Sequence, residues 1–222
     1  MNNTRLNIFV GHFGSGKTEI AINFAIHLKK YYNKVSIVDL DIVNPYFRTK
    51  DVTGILEHKG IKVIAPMFAN TNVDIPALPA EIISLFQDKE YRVVFDVGGD
   101  DIGATALGRY YKYFANEKYQ MFFVANMKRA LTNNAGNTIE LLREIEKKSR
   151  LKVSDLINNT NLSYSSTIED LLKGQKVIEK ISREIKVPIR YITGKHEILS
   201  QLPHDLKEKA FPLRLYLKMP WE

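Results

Sequence analysis

The sequence predicts an α/β fold: three layers, with a mostly parallel sheet of about seven strands and helices on both of its faces. Two observations lead to this prediction. Short runs rich in β-branched and aromatic residues alternate with longer amphipathic stretches along the chain, which is typical of strands joined by crossover helices. The short runs are also almost continuously apolar, as expected for parallel strands that are covered on both faces.

Seven strands are predicted from these runs, at Leu6–Val10, Lys34–Asp39, Ile61–Ala65, Arg92–Val97, Gln120–Ala125, Val153–Asn158 and Ile189–Thr193. Helices are predicted at Lys17–Tyr31, Arg48–His58, Pro79–Gln87, Ile102–Phe114, Asn134–Lys148 and Ile168–Ile185. Residues 211–219 alternate apolar and mostly polar side chains with period two, which indicates a further, terminal strand. No linker or repeat divides the sequence, so we expect residues 1–222 to form one domain.

Composition excludes several classes of function. The chain has no cysteine, which excludes disulfides, thiolate metal sites and thiol catalysis. No apolar run approaches the roughly 18 residues that span a bilayer, and the N-terminus lacks the pattern of a signal peptide, so a cytoplasmic protein is expected. The net charge of +7 arises in residues 101–222, with 21 Lys and Arg against 14 Asp and Glu. Both signs mix there without a dense basic run, so nucleic acid is not an expected partner.

Residues 11–18 read GHFGSGKT, directly after the first predicted strand and at the start of the first predicted helix. This spacing is that of a phosphate-binding P-loop, in which glycines let the backbone curve and point its N–H groups at an anion. The lysine of such a loop reaches the β- and γ-phosphates, and the hydroxyl after it can bind Mg²⁺. The sequence therefore predicts a site for a nucleoside triphosphate and Mg²⁺. Its predicted residues are Gly11, Gly14, Ser15, Gly16, Lys17 and Thr18.

Acidic residues end two further predicted strands. Asp96 closes a hydrophobic strand and is followed by Val97 and two glycines, so this position supplies a Mg²⁺ ligand without an adjacent glutamate. Asp39 and Asp41 lie at the carboxyl end of another strand, where open α/β sheets bind ligands, and both could face the triphosphate. One of the pair could instead serve a turn.

This order of a P-loop, a strand ending in Asp-x-Asp and a strand ending in Asp-x-Gly-Gly resembles the MinD/ParA group of P-loop ATPases. The broader family includes CobB/CobQ-type and dethiobiotin-synthetase-like enzymes. The resemblance implies that Asp41 positions the attacking water and acts with Lys17 in catalysis, and that Mg²⁺ is held by Thr18 and Asp96, with Asp39 beside them. It also implies that an asparagine after a later strand recognises adenine; Asn158 matches it, with Asn159 as the alternative.

The sequence departs from this group at one place. ParA-type proteins carry a signature lysine early in the P-loop, where this chain has His12, followed by Phe13 instead of glycine. A homodimer is still an expected form of the protein, but the lysine that would reach across its interface to the partner's nucleotide is missing. Arg48, Arg109 or Arg129 could supply the missing positive charge.

Three functions remain open from the sequence. The first is a nucleotide-driven switch that hydrolyses ATP and releases a protein partner. The second is an ATP-dependent transfer enzyme, a kinase or ligase acting on a small molecule in a pocket built from residues 44–48 and 70–74. The third is an accessory protein that binds ATP with negligible turnover.

Overall fold

A computed structural model describes residues 4–41, 52–65, 79–99, 101–162 and 166–217. Their strands form one sheet, and every pairing in it is parallel. The strands are β1 (Leu6–Val10), β2 (Val35–Leu40), β3 (Ile61–Ile64), β4 (Arg92–Val97), β5 (Tyr119–Ala125), β6 (Asp155–Asn158), β7 (Ile189–Gly194) and β8 (Ala210–Pro212). Their order across the sheet is β3-β2-β4-β1-β5-β6-β7-β8.

Helices connect these strands. They are α1 (Lys17–Lys29), α2 (Thr53–His58), α3 (Ala80–Gln87), α4 (Asp101–Gly108), α5 (Tyr111–Phe114), α6 (Ala135–Ser149), α7 (Ile168–Ile185) and α8 (His196–Leu199). Within the described ranges, 3₁₀ helices also lie at Ala130–Thr132 and His204–Lys209. None of the helices in the described ranges is long and apolar enough to cross a membrane.

Alternate residues of the central strands enter two large cores, one on each face of the sheet, and a third, smaller cluster includes Ile192 of β7. Phe9 packs with α1 and α2 on one face, whereas its neighbour Ile8 packs with α3 to α7 on the other. Six fully buried phenylalanines, among them Phe9 and Phe95, fill these two layers. The α/β class and the helices on both faces are therefore confirmed.

Two details differ from the sequence prediction. The sheet has eight strands, the seven predicted from apolar runs and the terminal strand β8. Strand β8 ends at Pro212, and residues 213–217 continue outside the sheet. The helix predicted at 102–114 is two helices, α4 and α5. The first of them ends at Gly108. The carbonyl of Gly108 accepts a hydrogen bond from the Arg150 guanidinium at 2.6 Å, and Gly108 packs against the backbone at Lys148.

Candidate nucleotide-binding site

The P-loop, residues 11–18, joins the end of the central strand β1 to the start of α1. Three of its glycines have positive φ: +142° at Gly11, +70° at Gly14 and +91° at Gly16. Gly16 is the N-cap residue of α1, and among the described residues no side chain caps that helix. The N–H groups of the first turn therefore point towards the loop, where the helix dipole favours an anion.

Asn159 fixes the shape of this loop from below. Its side-chain N–H₂ donates to the Ser15 carbonyl at 2.7 Å, and its oxygen accepts from the Thr193 hydroxyl at 2.8 Å. A Cβ at Gly16 would overlap that side-chain nitrogen. The Asn159 amide thus connects the P-loop to the end of β7, and it leaves room for no residue larger than glycine at position 16.

Lys17 and Thr18 occupy the positions that the motif predicts. The Lys17 side chain is buried, and its Nζ donates to the His12 carbonyl at 3.2 Å, so the ammonium group lies across the mouth of the loop. The Thr18 hydroxyl hydrogen-bonds to Asp96. The two side chains place a positive charge and an oxygen donor at the same end of the loop.

Asp39 and Asp96 are neighbours in the β2–β4 register, and both are buried. Burial, and then the negative charge of Asp39, raise the pKa of Asp96 to about 7, against the opposing effects of Lys17 and Thr18. The oxygen of Asp39 accepts from the backbone N–H of Asp41 at 2.9 Å. Two crowded buried carboxylates beside a hydroxyl form a set of hard oxygen donors, which Mg²⁺ prefers.

These donors fit Mg²⁺ shared with phosphate better than Mg²⁺ held by protein alone. Within the described ranges, no group of three or more His, Asp and Glu side chains is arranged to hold a metal ion. Mg²⁺ is commonly bound through one or two carboxylates together with substrate phosphates. Thr18, Asp39 and Asp96 are the residues that could contribute.

One cavity of about 490 Å³ extends from the P-loop across the sheet edge to the segment after β8. Lys17, Thr18 and Asp41 line its phosphate end. Beyond them the walls are mostly apolar or neutral, formed by the loop after β6, the first turn of α7, the β7–α8 junction and the chain after β8. The residues of this second part are Asn159, Thr160, Asn161, Leu162, Leu171, Thr193, Gly194, Lys195, Ile198, Leu213, Leu215 and Leu217.

The structure brings most of the predicted residues together but places Asn158 apart from them. Asn158 is fully buried outside the cavity, and its side chain pairs with Gln175 at 2.9 Å, with the Leu171 carbonyl and with the Thr160 N–H. The alternative, Asn159, lines the cavity. Of the two candidates, Asn159 is therefore the one that the structure places at the cavity.

The candidates for an additional positive charge also separate. Arg129 lines the cavity, and its Nε donates to the Gly14 carbonyl at 2.9 Å. Arg109 does not line the cavity, and Arg48 lies outside the described residues, as do residues 44–47 and 70–74. Burial lowers the pKa of His12, the residue at the position of the signature lysine.

Sequence reasoning missed the side chains of α1 that hold residues 214–217. Glu19 accepts hydrogen bonds from the N–H groups of Tyr216 and Leu217 at 2.8 and 3.2 Å, and Asn23 bonds both backbone groups of Arg214 at 2.9 Å. The only sequence signal was the period-two pattern of residues 211–219, which indicated an extended chain without indicating what it pairs with.

Comparison with known proteins identifies the family of this chain. A family model described as the CobQ/CobB/MinD/ParA nucleotide binding domain matches residues 11–198. No match was found among curated proteins.

Solved structures share the fold at low sequence identity. A nucleotide-binding protein from Archaeoglobus fulgidus, solved in complex with ADP, is 17% identical with a TM-score of 0.53, covering 88% of this chain and 84% of that one. The signal recognition particle receptor FtsY from Elizabethkingia anophelis is 17% identical with a TM-score of 0.57, covering 93% and 64%. FlhF, complexed with GTP and Mg²⁺, is 14% identical with a TM-score of 0.56, covering 89% and 68%. This chain thus matches a little under two thirds of the length of that FtsY.

The family match covers the P-loop, both acidic strand ends and the cavity wall up to Ile198. The structural relatives add the fold. This chain therefore belongs to the CobQ/CobB/MinD/ParA nucleotide-binding domain family as a P-loop nucleotide-binding protein, with His12 in place of the ParA signature lysine.

Proposed function

We propose that this protein is a Mg²⁺-dependent ATPase of the MinD/ParA type that acts as a nucleotide-driven switch. The observation that carries the proposal is the convergence of one buried ammonium group, one hydroxyl and three carboxylates at the adjacent ends of β1, β2 and β4. A P-loop that only bound nucleotide would need the ammonium group and the loop amides. The carboxylates add a metal site and a group that can act on water.

Each residue has a defined part in this proposal. Lys17 neutralises the β- and γ-phosphates, and Thr18, Asp39 and Asp96 hold Mg²⁺. Bound there, Mg²⁺ supplies charge stabilisation to the phosphate oxygens. Asp41 orients a water for in-line attack on the γ-phosphorus.

Hydrolysis then joins the oxygen of that water to the γ-phosphorus as the bond to the β–γ bridging oxygen breaks. The products are ADP and inorganic phosphate, with the protons of water distributed between phosphate and solvent. Asp41 lies one residue beyond β2, at the cavity wall, where its orientation can depend on the presence of the γ-phosphate. Such a dependence is what a switch requires.

The preference for ATP rests on two points. The guanine-reading Asn-Lys-x-Asp motif is missing after β6, and an asparagine amide is suited to the N6 and N7 of adenine. Asn159 is the amide at the cavity. The switch proposal also includes a protein partner, and a second copy of this chain in a homodimer is one candidate for that partner.

The test is phosphate release by purified protein with Mg²⁺ and ATP. We expect slow basal release, and Asp41→Asn should lower its rate at least about tenfold while leaving ATP affinity within about twofold, because this residue acts on the water and not on the nucleotide. Asp205→Asn, an exposed aspartate in the second 3₁₀ helix, is the matched control and should match the parent. Equal rates for Asp41→Asn and the parent would reject the catalytic assignment.

The same assay separates the competing functions. Release that is stimulated by one small acid or amine, with transfer of phosphate to it, would replace the switch with an ATP-dependent transfer enzyme. ATP binding without any release would leave an accessory binding protein.

A further inference from the structure

The chain after β8 runs along α1 as an extended strap, defined here as residues 213–217. Leu213, Leu215 and Leu217 line the nucleotide cavity, whereas Arg214 and Tyr216 do not. This alternation is the period-two pattern of an extended backbone. One side of the strap therefore forms a continuous apolar wall on the cavity.

The strap begins with one backbone hydrogen bond to β7, from the Leu213 N–H to the Gly194 carbonyl at 2.8 Å, and beyond Leu213 it is held by side chains of α1. Glu19 and Asn23 are four residues apart and so share one face of α1. Asn23 bonds the N–H and the carbonyl of Arg214, as a β-partner would, and Glu19 accepts hydrogen bonds from the N–H groups of Tyr216 and Leu217. These bonds fix which side of the strap faces the cavity.

Large apolar side chains stand exposed around the same cavity. Phe13 is 51% exposed, Leu215 44% and Leu162 42%, and all three line it. Exposed apolar groups that converge on one concave site are typical of ligand contact. The wall continues directly from Lys17 and Thr18, so the ligand it meets is the part of a nucleotide that lies beyond the phosphates.

We propose that the strap is the apolar wall of a purine-binding subsite, with Leu215 contacting the ring and Glu19 and Asn23 acting as positioning residues. This inference rests on the proposed nucleotide function and specifies the base end of the same site. Glu19 directly follows Thr18, so the residue that holds the strap is adjacent to the residue that binds Mg²⁺ and phosphate. The phosphate end of the site and the attachment of the strap thereby depend on consecutive residues of α1.

The test compares Mg²⁺–ATP with Mg²⁺–tripolyphosphate, which has the phosphates but no base. In calorimetric titrations, Leu215→Ser should weaken ATP binding by about three- to tenfold, as expected for a half-exposed leucine that the base covers. Tripolyphosphate affinity should stay within about twofold. Ile55→Ser, at a residue of similar exposure (46%) in α2, is the matched control and should change neither affinity.

Asn23→Ala tests the positioning role, because this side chain does not line the cavity. It should also weaken ATP and spare tripolyphosphate, whereas Asn116→Ala, which removes a local helix-end hydrogen bond, should change neither. Unchanged ATP affinity in Leu215→Ser, or equal losses of ATP and tripolyphosphate, would overturn the subsite.

Lys17→Ala distinguishes a failure of the purine subsite from a failure of the nucleotide site itself. It should weaken both ligands together, because it removes the phosphate contact. If Lys17→Ala changed neither affinity, the nucleotide site itself would be wrong; if it weakened both while Leu215→Ser had no effect, the subsite alone would be wrong.

Discussion

Replacing Gly16 with alanine should destabilise the protein, because two structural requirements meet at this residue. Its φ of +91° is in the left-handed region, where a residue with a Cβ costs about 1–2 kcal/mol. The added methyl group would displace the Asn159 amide and break its 2.7 Å hydrogen bond to the buried Ser15 carbonyl, which costs about 1–3 kcal/mol. The sum is about 2–5 kcal/mol in the free energy of unfolding.

Urea denaturation of the nucleotide-free protein measures this loss. Gly54→Ala is the control: Gly54 lies in α2, and a methyl group added there would meet no atom within 4 Å, so alanine should leave stability unchanged or raise it by up to about 1 kcal/mol. Combining Gly16→Ala with Asn159→Ala should cost less than the sum of the single changes, because both remove the same bond. Equal stabilities of Gly16→Ala and Gly54→Ala would refute the reasoning.

Three further predictions concern the same site. Gly99 packs on the P-loop so closely that a Cβ would stand 2.6 Å from the Cα of Phe13. Gly99→Ala should therefore weaken ATP binding at least about tenfold. Gly136→Ala is the control and should leave ATP binding unchanged, because its methyl group meets only one atom, at 3.5 Å. Arg129→Ala should weaken Mg²⁺–ATP binding up to about tenfold through loss of one exposed hydrogen bond and one charge, with unfolding free energy unchanged within about 0.5 kcal/mol; equal affinity would exclude this arginine from the site. Because the raised pKa of Asp96 leaves it protonated below about pH 7, metal binding must displace that proton, so affinity for Mg²⁺–ATP should rise with pH up to about 7 and level off above it. Calorimetry in buffers of different ionisation enthalpy should show proton release at pH 6 that is lost at pH 8 and in Asp96→Asn; identical release at both pH values would contradict the assignment.

Local sequence was enough to predict the P-loop and the strands beside it. The motif at 11–18 fixes backbone conformation through glycines at set positions, and the buried parallel strands are short apolar runs with little ambiguity. Asp39 and Asp96 were predicted on the same edge because the carboxyl ends of parallel strands meet there. The structure places them as register neighbours.

The choice between Asn158 and Asn159 could not be made in this way. Successive residues at the end of a strand point in opposite directions, so a one-residue difference decides which amide reaches the cavity. The deciding contacts are to Gln175 for one asparagine and to Ser15 and Thr193 for the other. The latter two lie 144 and 34 residues away, beyond any local pattern.

The strap was misread for a related reason. Its alternation correctly indicated an extended chain, but the contact between Asn23 and Arg214, which are 191 residues apart, decides that beyond Leu213 the strap bonds to α1 and no longer to β7. Side-chain amides and carboxylates that bond a backbone leave no periodic signal in a sequence. Similarly, the break between α4 and α5 follows from the close packing of Gly108 on α6, which helical periodicity does not report.

The measurement that tests the central claim most directly is a calorimetric titration of folded protein with Mg²⁺–ATP, repeated on Lys17→Ala. We predict saturable binding with one nucleotide per chain, and for Lys17→Ala a loss of affinity of at least about tenfold, as expected for a charge-assisted contact in a buried loop. Absence of saturable binding to the parent protein, or equal affinity of the two proteins, would contradict the assignment of residues 11–18 as the phosphate site.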